Sequence, residues 1–126
     1  MHEPQRIEAF FDDFVTAFTS FRGDIIAQRY AAPYLALRSD ATHELFTSDD
    51  AIARYFQDIV DGYHHQGARS CSYRDFEWIS IGAAHVLATV TWELHDARGE
   101  VISAWRESYT LALRDGAYRI TTSIDH

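Results

Sequence analysis

The sequence predicts a single α+β domain, with helices in the first half of the chain and strands in the second. Two observations carry this prediction. Apolar residues recur at helical spacing in three segments before Gly67, and they alternate with polar residues between Ser70 and Ile124. The length of 126 residues is enough for one hydrophobic core and too short for two. We therefore expect residues 1–126 to form one domain.

The charge of the chain limits its partners. There are 19 acidic and 11 basic residues, the formal net charge is −8, and no run of basic residues occurs. Nucleic acids and anionic membranes bind to concentrated Arg and Lys, so we expect neither as a partner. All the basic residues are Arg, which excludes a lysine Schiff base.

Cysteine usage and hydropathy predict a cytoplasmic protein. The single Cys71 cannot form an intramolecular disulfide, as is typical of reducing compartments, and we expect it to be a small buried apolar side chain. The first residues, MHEPQRIEAFFDDF, do not show the pattern of a secretion signal. No apolar run approaches the roughly 18–20 residues that span a membrane.

Three helices are predicted. The first covers residues 5–21, where five Phe fall on one face between Pro4 and Gly23. A short second helix is capped by Asp24, continues through Tyr30 and stops before Pro33. The third begins after the polar residues 47–50, which supply a cap and first-turn acids, and ends by Gly67. Between the second and third, residues 34–46 predict a small hairpin that turns at Ser39 and Asp40.

Turn signals set the expected strand register in the second half. The Asp115-Gly116 dipeptide predicts a two-residue hairpin, and residues 96–99 predict a four-residue loop. The first turn gives the pairs Leu113–Tyr118, Leu111–Ile120, Tyr109–Thr122 and Glu107–Ile124. The second gives Trp92–Ser103, Val90–Trp105, Ala88–Glu107 and Val86–Tyr109.

Both registers put the same residues on one apolar face, which supports both turns because a slip of one residue would mix the faces. The predicted apolar face contains Val86, Val90, Trp92, Leu94, Val101, Trp105, Tyr109, Leu111, Leu113, Tyr118, Ile120 and Ile124. The polar face contains Asp125, which the register pairs with Arg106.

Glu107 is the exception, because it falls on the apolar face. A carboxylate there must find partners or take up a proton, since burial disfavours its charged form. Either it simply hydrogen-bonds to Tyr or Trp in the core, or it is a polar group inside a ligand cavity. We treat it as the leading candidate for a functional residue.

The strand at residues 73–81 has two possible orientations. A two-residue turn at Gly82-Ala83 would put Glu77 on the inner face, close to Glu107. A three-residue turn would put Phe76 and Trp78 inside and leave the acids in water. We favour the second, because burying two acids costs several kcal/mol unless they are paired.

Several other groups of residues do not indicate a metal, catalytic or cofactor site. The adjacent His64 and His65 lie at the end of the third helix, where the helix dipole favours them, and no Cys/His spacing predicts a metal. His43 and Glu44 could line the mouth of a pocket, but we expect them on an exposed hairpin. No Gly-rich phosphate loop occurs, and we expect no cofactor.

Aromatic side chains are abundant enough to line a cavity for a flat or lipophilic ligand, although the same side chains could fill the core completely. The pocket residues that we predict are Phe14, Phe18, Tyr30, Tyr55, Phe56, Trp92 and Trp105.

The order of these elements resembles the NTF2-like superfamily, in particular its SnoaL-like and ketosteroid-isomerase-like branch. The resemblance covers the whole chain and rests on YAAPYLAL, SDDAIARYFQDIV and WRESYTLALRDGAYRITTSIDH. It implies a cone in which a curved mixed sheet wraps around three helices and leaves a pocket at its open end. It also implies a homodimer formed through the outer sheet face.

The same resemblance implies candidate catalytic residues. Ketosteroid isomerases place a general-base Asp after the second helix, where this chain has Arg38 or Ser39, with Asp40 one or two residues further on. Proton transfer would then use Glu107 or Asp40 as base and Tyr109 as donor.

We expect a protein that binds a small, largely apolar carbonyl-containing or cyclic metabolite. If it is an enzyme, we expect isomerase, lyase or cyclase chemistry. The alternative is a non-enzymatic dimerising or ligand-carrier module with a self-filled core. The family includes both, so the fold leaves the question of catalysis open.

Overall fold

Three helices pack against one face of a six-stranded mixed sheet in the computed structural model, which describes residues 2–126. The strand order is β2-β1-β6-β5-β4-β3, and β1 and β6 are parallel while the other neighbours are antiparallel. The α+β class is therefore confirmed. The elements are α1 (Pro4–Thr19), α2 (Gly23–Ile26), β1 (Tyr30–Leu37), β2 (His43–Phe46), α3 (Asp49–His65), β3 (Ser70–Ile81), β4 (His85–His95), β5 (Val101–Arg114) and β6 (Ala117–Asp125).

Helix α1 buries the aromatic face that its spacing predicts. Pro4 lies in its first turn, and Ile7, Phe11, Phe14 and Phe18 are buried against the sheet and the other helices. Apolar residues three and four positions apart share one side of a helix, so a single stripe covers the sheet.

The second helix is shorter than predicted. Helix α2 ends at Ile26, a single 3₁₀ turn follows over Ala27–Arg29, and Tyr30 already belongs to β1. The prediction of a helix through Tyr30 was wrong because Tyr30 pairs with Ile120 of β6, and local spacing does not reveal that long-range ladder. Asp24 also lies inside the first turn and is not the cap.

The small hairpin is confirmed, since β1 and β2 are antiparallel and Leu37 is opposite His43. Strand β1 is longer than expected and includes Pro33. It joins the hairpin to the main sheet through its parallel pairing with β6. This connection brings the end of β1 beside the end of β6, where the candidate site lies.

Helix α3 begins as its sequence predicts. The Ser48 hydroxyl accepts a hydrogen bond from the amide of Ala51 at 3.1 Å, and Asp49 and Asp50 occupy the first turn. This cap satisfies one of the amides that a helix start leaves without an intrahelical partner.

We expect Ser48→Ala to lower the free energy of unfolding by about 1 kcal/mol, because the Ala51 amide loses its side-chain acceptor. Urea unfolding followed by circular dichroism measures the change. Thr47→Ala is the control, since it removes a neighbouring exposed side chain that lies outside the helix. Equal stabilities of the two variants would show that the cap contributes nothing.

Strands β5 and β6 keep the predicted register only near their turn. Leu113 is opposite Tyr118 and Leu111 is opposite Ile120, as predicted, but Thr110 is opposite Thr122. Thr121 is therefore an extra residue on β6, and a bulge of this kind reverses the faces beyond it. The pairs predicted beyond this point were wrong: the observed pairs are Tyr109–Ser123, Ser108–Ile124 and Glu107–Asp125.

The bulge changes which side chains face the helices. Ile124, predicted on the apolar face, is 37% exposed, and Asp125, predicted on the polar face, turns inward beside Glu107. The predicted pairing of Arg106 with Asp125 was therefore wrong. Arg106 instead donates to the hydroxyl of Thr91 at 3.0 Å on the outer face.

Strands β4 and β5 are shifted by two residues from the predicted register. Trp92 is opposite Trp105, and Glu107 is opposite Val90 where Ala88 was predicted. A shift of two keeps each side chain on its face, so the assignment of the apolar face survives the error. Val101 is an exception, because it lies at the outer end of β5 and is half exposed.

Strand β3 has the orientation that we favoured. Ile81 is opposite His85, which leaves a three-residue turn, and Trp78 packs inward against the core. Glu77 faces outward and pairs with Arg106 at 3.1 Å. A bulge at residues 75–76 additionally brings Tyr73 onto the inner side, where it packs against the core.

The helices fall short of what a bilayer requires. Within residues 2–126, none has the length and apolar character that crossing a membrane needs.

Candidate functional site

A cavity of about 300 Å³ lies between the helices and the inner face of the sheet. Helices α1 and α3 supply one side, and strands β1, β4, β5 and β6 supply the other. Its lining consists of Phe14, Phe18, Tyr30, Tyr34, Ala36, Ser39, Tyr55, Phe56, Ile59, Tyr63, Cys71, Trp92, Leu94, Trp105, Glu107, Tyr109, Ser123, Asp125 and His126.

All seven aromatic residues predicted for the pocket lie on this lining. Their rings also contact one another: the Phe14 and Trp92 centroids are 5.3 Å apart, and those of Tyr30 and Phe56 are 4.5 Å apart. Tyr63 packs on Trp105 at 5.8 Å. The walls are therefore a continuous aromatic layer. The distances between ring centroids are those at which aromatic pairs stabilise each other.

Glu107 is brought to this lining from the middle of β5. The indole nitrogen of Trp105 donates a hydrogen bond to its carboxyl oxygen Oε1 at 2.8 Å, and the hydroxyl of Tyr109 lies near it. Burial raises the pKa of Glu107 to about 8, and the negative charge of Asp125 contributes to this rise, while the donor groups of Trp105 and Tyr109 oppose it. At neutral pH Glu107 is therefore mainly protonated.

Asp125 faces Glu107 from the neighbouring strand. The two are cross-strand partners of β5 and β6, and their carboxyl groups are within hydrogen-bonding reach. Burial raises the pKa of Asp125, while the hydrogen bond from Glu107 and the positive charges of Arg38 and His126 lower it. The pair therefore shares a proton that resides on Glu107, and Asp125 carries the negative charge.

Tyr109 is fixed by the strand beside it. The indole nitrogen of Trp92 donates to the Tyr109 hydroxyl oxygen at 2.7 Å, so the hydroxyl proton stays available for donation on the side of Glu107. Burial raises the pKa of Tyr109 well above its usual value, so the phenol keeps its proton. It therefore acts as a hydrogen-bond donor at any physiological pH.

More polar groups lie at the β1 side of the cavity. The hydroxyls of Tyr34 and Ser123 hydrogen-bond to each other across the parallel strands. Next to the cavity, Arg38 forms an ion pair with Glu44 at 2.8 Å, and its positive charge acts on Tyr55. These contacts order the end of β1, where the polar lining meets solvent.

Asp40 is not brought to the cavity. It is exposed in the turn between β1 and β2, and its carboxylate accepts hydrogen bonds from the amide and hydroxyl of Thr42 at 3.0 and 2.6 Å. Those bonds lower its pKa. An ionised turn residue of this kind stabilises the hairpin, and it has no contact with Glu107. His43 and Glu44 are exposed on β2, as expected.

Cys71 lies on the lining as a buried thiol, in agreement with its expected apolar role. Burial raises its pKa to about 12, so the thiol is neutral and a poor nucleophile. Within residues 2–126, no three His, Cys, Asp or Glu side chains converge in an arrangement that could hold a metal ion.

Sequence reasoning missed Asp125, Tyr34 and Ser123. Asp125 and Ser123 were missed because the bulge at Thr121 turns the end of β6 over, and no turn residue or change of hydrophobic period marks that bulge. Tyr34 was placed in the hairpin, but its approach to Ser123 depends on the parallel pairing of β1 with β6. Only the register of the complete sheet could have revealed these residues.

The arrangement can exchange protons inside an apolar enclosure. A protonated Glu107 can donate to an acceptor on a bound molecule, and the ionised Asp125 beside it can receive a proton. Glu107 is therefore the protonated carboxyl group and Asp125 the ionised one. Acid–base catalysis requires one group of each kind.

Solved structures share this architecture at low sequence identity. Aln2 from a Streptomyces species is 13% identical, with 100% of this chain and 93% of that one covered and a TM-score of 0.78. The yeast UBP3-associated protein BRE5 is 14% identical, with 100% and 97% covered and a TM-score of 0.76. A ketosteroid isomerase-like protein from Erwinia carotovora atroseptica is 16% identical, with 96% and 92% covered and a TM-score of 0.70.

At such identities these likenesses establish the fold alone. No curated protein matches the sequence. The family model described as NTF2-like protein (DUF6841) matches residues 2–126. The resemblance seen in the sequence is thereby confirmed, and the chain belongs to this NTF2-like family.

Proposed function

We propose that this protein binds a small, largely apolar molecule in the cavity and that Glu107 exchanges a proton with it. One observation carries the proposal: a carboxyl group whose pKa is raised by burial lies on the wall of an aromatic cavity. Perturbed acids in a concave apolar site are a typical signature of functional residues.

The size of the cavity favours a ligand over a self-filled core. A volume of about 300 Å³ lies at the lower end of the range for small-molecule sites, roughly 300–1,000 Å³. A module that fills its core with its own side chains has no need of such a space. The homodimer expected through the outer sheet face and the cytoplasmic location stay predictions.

The polar groups support acid–base chemistry on the bound molecule. Glu107 is the proton donor and Tyr109 is a second hydrogen-bond donor beside it, so both can stabilise negative charge that develops on one ligand atom. Asp125 is the acceptor. Isomerase, lyase and cyclase reactions can each use a donor and an acceptor placed in this way.

We expect 2-acetylnaphthalene, a compact neutral aromatic ketone, to bind in the cavity and change the tryptophan fluorescence, because Trp92 and Trp105 line it. Ala36→Phe puts a ring into the cavity and is expected to weaken binding about tenfold or more. The control is Ala104→Phe, since Ala104 is exposed on β5.

Circular dichroism verifies that both variants fold. Binding that is equal in Ala36→Phe and in the wild type would place the probe elsewhere and contradict the proposal. Native mass spectrometry of protein from its own host provides a second readout, in which a retained small molecule is the expected result.

A further inference from the structure

The cavity carries negative charge and a large aromatic surface. Ten aromatic side chains line it, together with the carboxyl groups of Glu107 and Asp125. Among the residues that the structure describes, His126 is the single basic side chain on the lining, and no Arg belongs to it. A pocket for any apolar ligand would need neither so many aromatic rings nor two carboxyl groups, so this lining indicates a narrower class of ligand.

An aromatic wall favours positively charged ligands over neutral or negative ones. The faces of Phe, Tyr and Trp rings are electronegative, and they attract cations that lie within about 6 Å of the ring centroid. Enclosures of several rings are the usual recognition site for ammonium groups. Here the Trp105 and Tyr63 rings pack at an angle of 37°, and Trp105 donates to Glu107, so rings and carboxyl group lie at the same place.

The carboxyl pair adds to this preference. Even when Glu107 and Asp125 share one proton, the pair keeps one negative charge. A neutral ligand would cover that charge without compensating it, and an anion would be repelled by it. A cation supplies the missing partner, because an ion pair recovers part of the cost of removing each charge from water.

The charge of the whole chain acts in the same direction. A formal net charge of −8 attracts cations to the surface and raises their rate of encounter with the site. Arg38, whose positive charge acts on Asp125, is already paired with Glu44. The long-range field and the local pair therefore select the same sign of charge.

We propose that the cavity binds a compact aromatic or alicyclic amine in its cationic form, with the ammonium group against Glu107 and Asp125 and the apolar body among the surrounding rings. This inference rests on the proposed binding function and names its ligand class. It differs from the sequence-based expectation of a carbonyl compound, which would use Glu107 only as a neutral donor.

Binding of a cation is coupled to the proton of the pair. A positive charge beside Glu107 favours its ionised form, so the ligand displaces the shared proton, and affinity rises with pH until the free pair is fully ionised. The titratable and charged groups that face the pair from the elements around it are Tyr30, Tyr34, Arg38, Tyr55, Tyr63, Tyr109 and His126.

Three probes that share one naphthylmethyl body test the proposal by titration calorimetry. They are 2-naphthylmethylamine, its permanently charged trimethylammonium analogue and the neutral 2-naphthylmethanol. We expect both cations to bind about tenfold or more tightly than the alcohol at pH 8. Between pH 6 and pH 8 we expect the affinity of the trimethylammonium probe to rise, with protons released in proportion.

Variants separate this inference from the proposed function. Glu107→Gln and Asp125→Asn are expected to reduce the advantage of the cations over the alcohol, because each variant removes one carboxyl group from the pair. An alcohol that binds as tightly as the amine at pH 8, or a cation affinity that falls with pH, would overturn the amine assignment alone. If neither the alcohol nor the cations bind, the binding function itself is wrong. The probe series uses the wild-type protein, so the test stands even where a variant does not fold.

Discussion

Gly23→Ala is expected to destabilise the protein by about 3 kcal/mol, because helix α2 approaches the backbone of α3 too closely for a side chain. A Cβ atom at Gly23 would lie 2.2 Å from the carbonyl oxygen of Ala53 and 2.6 Å from the backbone nitrogen of Gln57. Neither backbone atom can rotate away. The same contact is held by the amide of Gly23, which donates to the side-chain oxygen of Gln57 at 2.8 Å.

Urea unfolding measures this effect, and Gly62→Ala provides the matched control. Gly62 lies in α3 with open space around the position of a Cβ atom, so its replacement is expected to raise stability by about 0.5–1 kcal/mol through helix propensity. The two substitutions are chemically identical and should have opposite signs. A Gly23→Ala protein as stable as the wild type would show that α2 and α3 do not pack as described.

Glu107→Gln is expected to stabilise the protein at pH 8 by on the order of 2–4 kcal/mol and to have a much smaller effect at pH 4. Gln resembles the protonated form of Glu107. Its amide oxygen can still accept from Trp105, and its amide nitrogen can donate to Asp125. The substitution therefore keeps the hydrogen bond from Trp105 and removes the cost of ionising a half-buried acid.

The sign follows from proton linkage. The pKa of Glu107 is raised from its ordinary value of 4.5 to about 8 in the folded state, so the folded protein binds more protons than the unfolded chain between these values. In the wild type, Glu107 makes its full contribution to the free energy of unfolding below pH 4.5, and this contribution is lost progressively as the pH rises to about 8. Glu107→Gln should remove that slope.

Thermal unfolding between pH 4 and pH 9 checks this expectation. Glu77→Gln is the control, because Glu77 lies on the outer face with its side chain 78% exposed and makes one surface ion pair with Arg106. Its replacement should change stability by less than about 1 kcal/mol at every pH. Parallel stability curves for wild type and Glu107→Gln would mean that the carboxyl group is hydrated and would remove the acid–base proposal.

Much of the fold could be predicted because its signals are local. The phenylalanine face of α1, the Ser48 cap of α3 and the Asp115-Gly116 turn each lie within a few residues of the structure they specify. The alternation of β4 and β5 also identified the inner face correctly, even though the register was wrong by two residues. An error of an even number leaves the faces unchanged.

The candidate site could be predicted only in part. Glu107 was recognised because it interrupts an apolar face, and the aromatic lining was recognised because large rings on facing elements must meet. Asp125 was assigned to the wrong face, since one extra residue at Thr121 inverts everything beyond it. Asp40 was suggested as a base by the family resemblance, but it lies in the predicted turn, where it binds Thr42 and does not reach the cavity.

The sequence by itself determined the number and kind of elements, their amphipathic faces and the presence of one acid among the apolar residues of β5, because these depend on the spacing of neighbours in the chain. Only the tertiary structure decided that a second acid joins Glu107, that a cavity remains beside them and that α2 packs on α3 without room for a methyl group. Each of these depends on strand register or on the fit of surfaces that are distant in the chain. Local spacing contains no information about such distances.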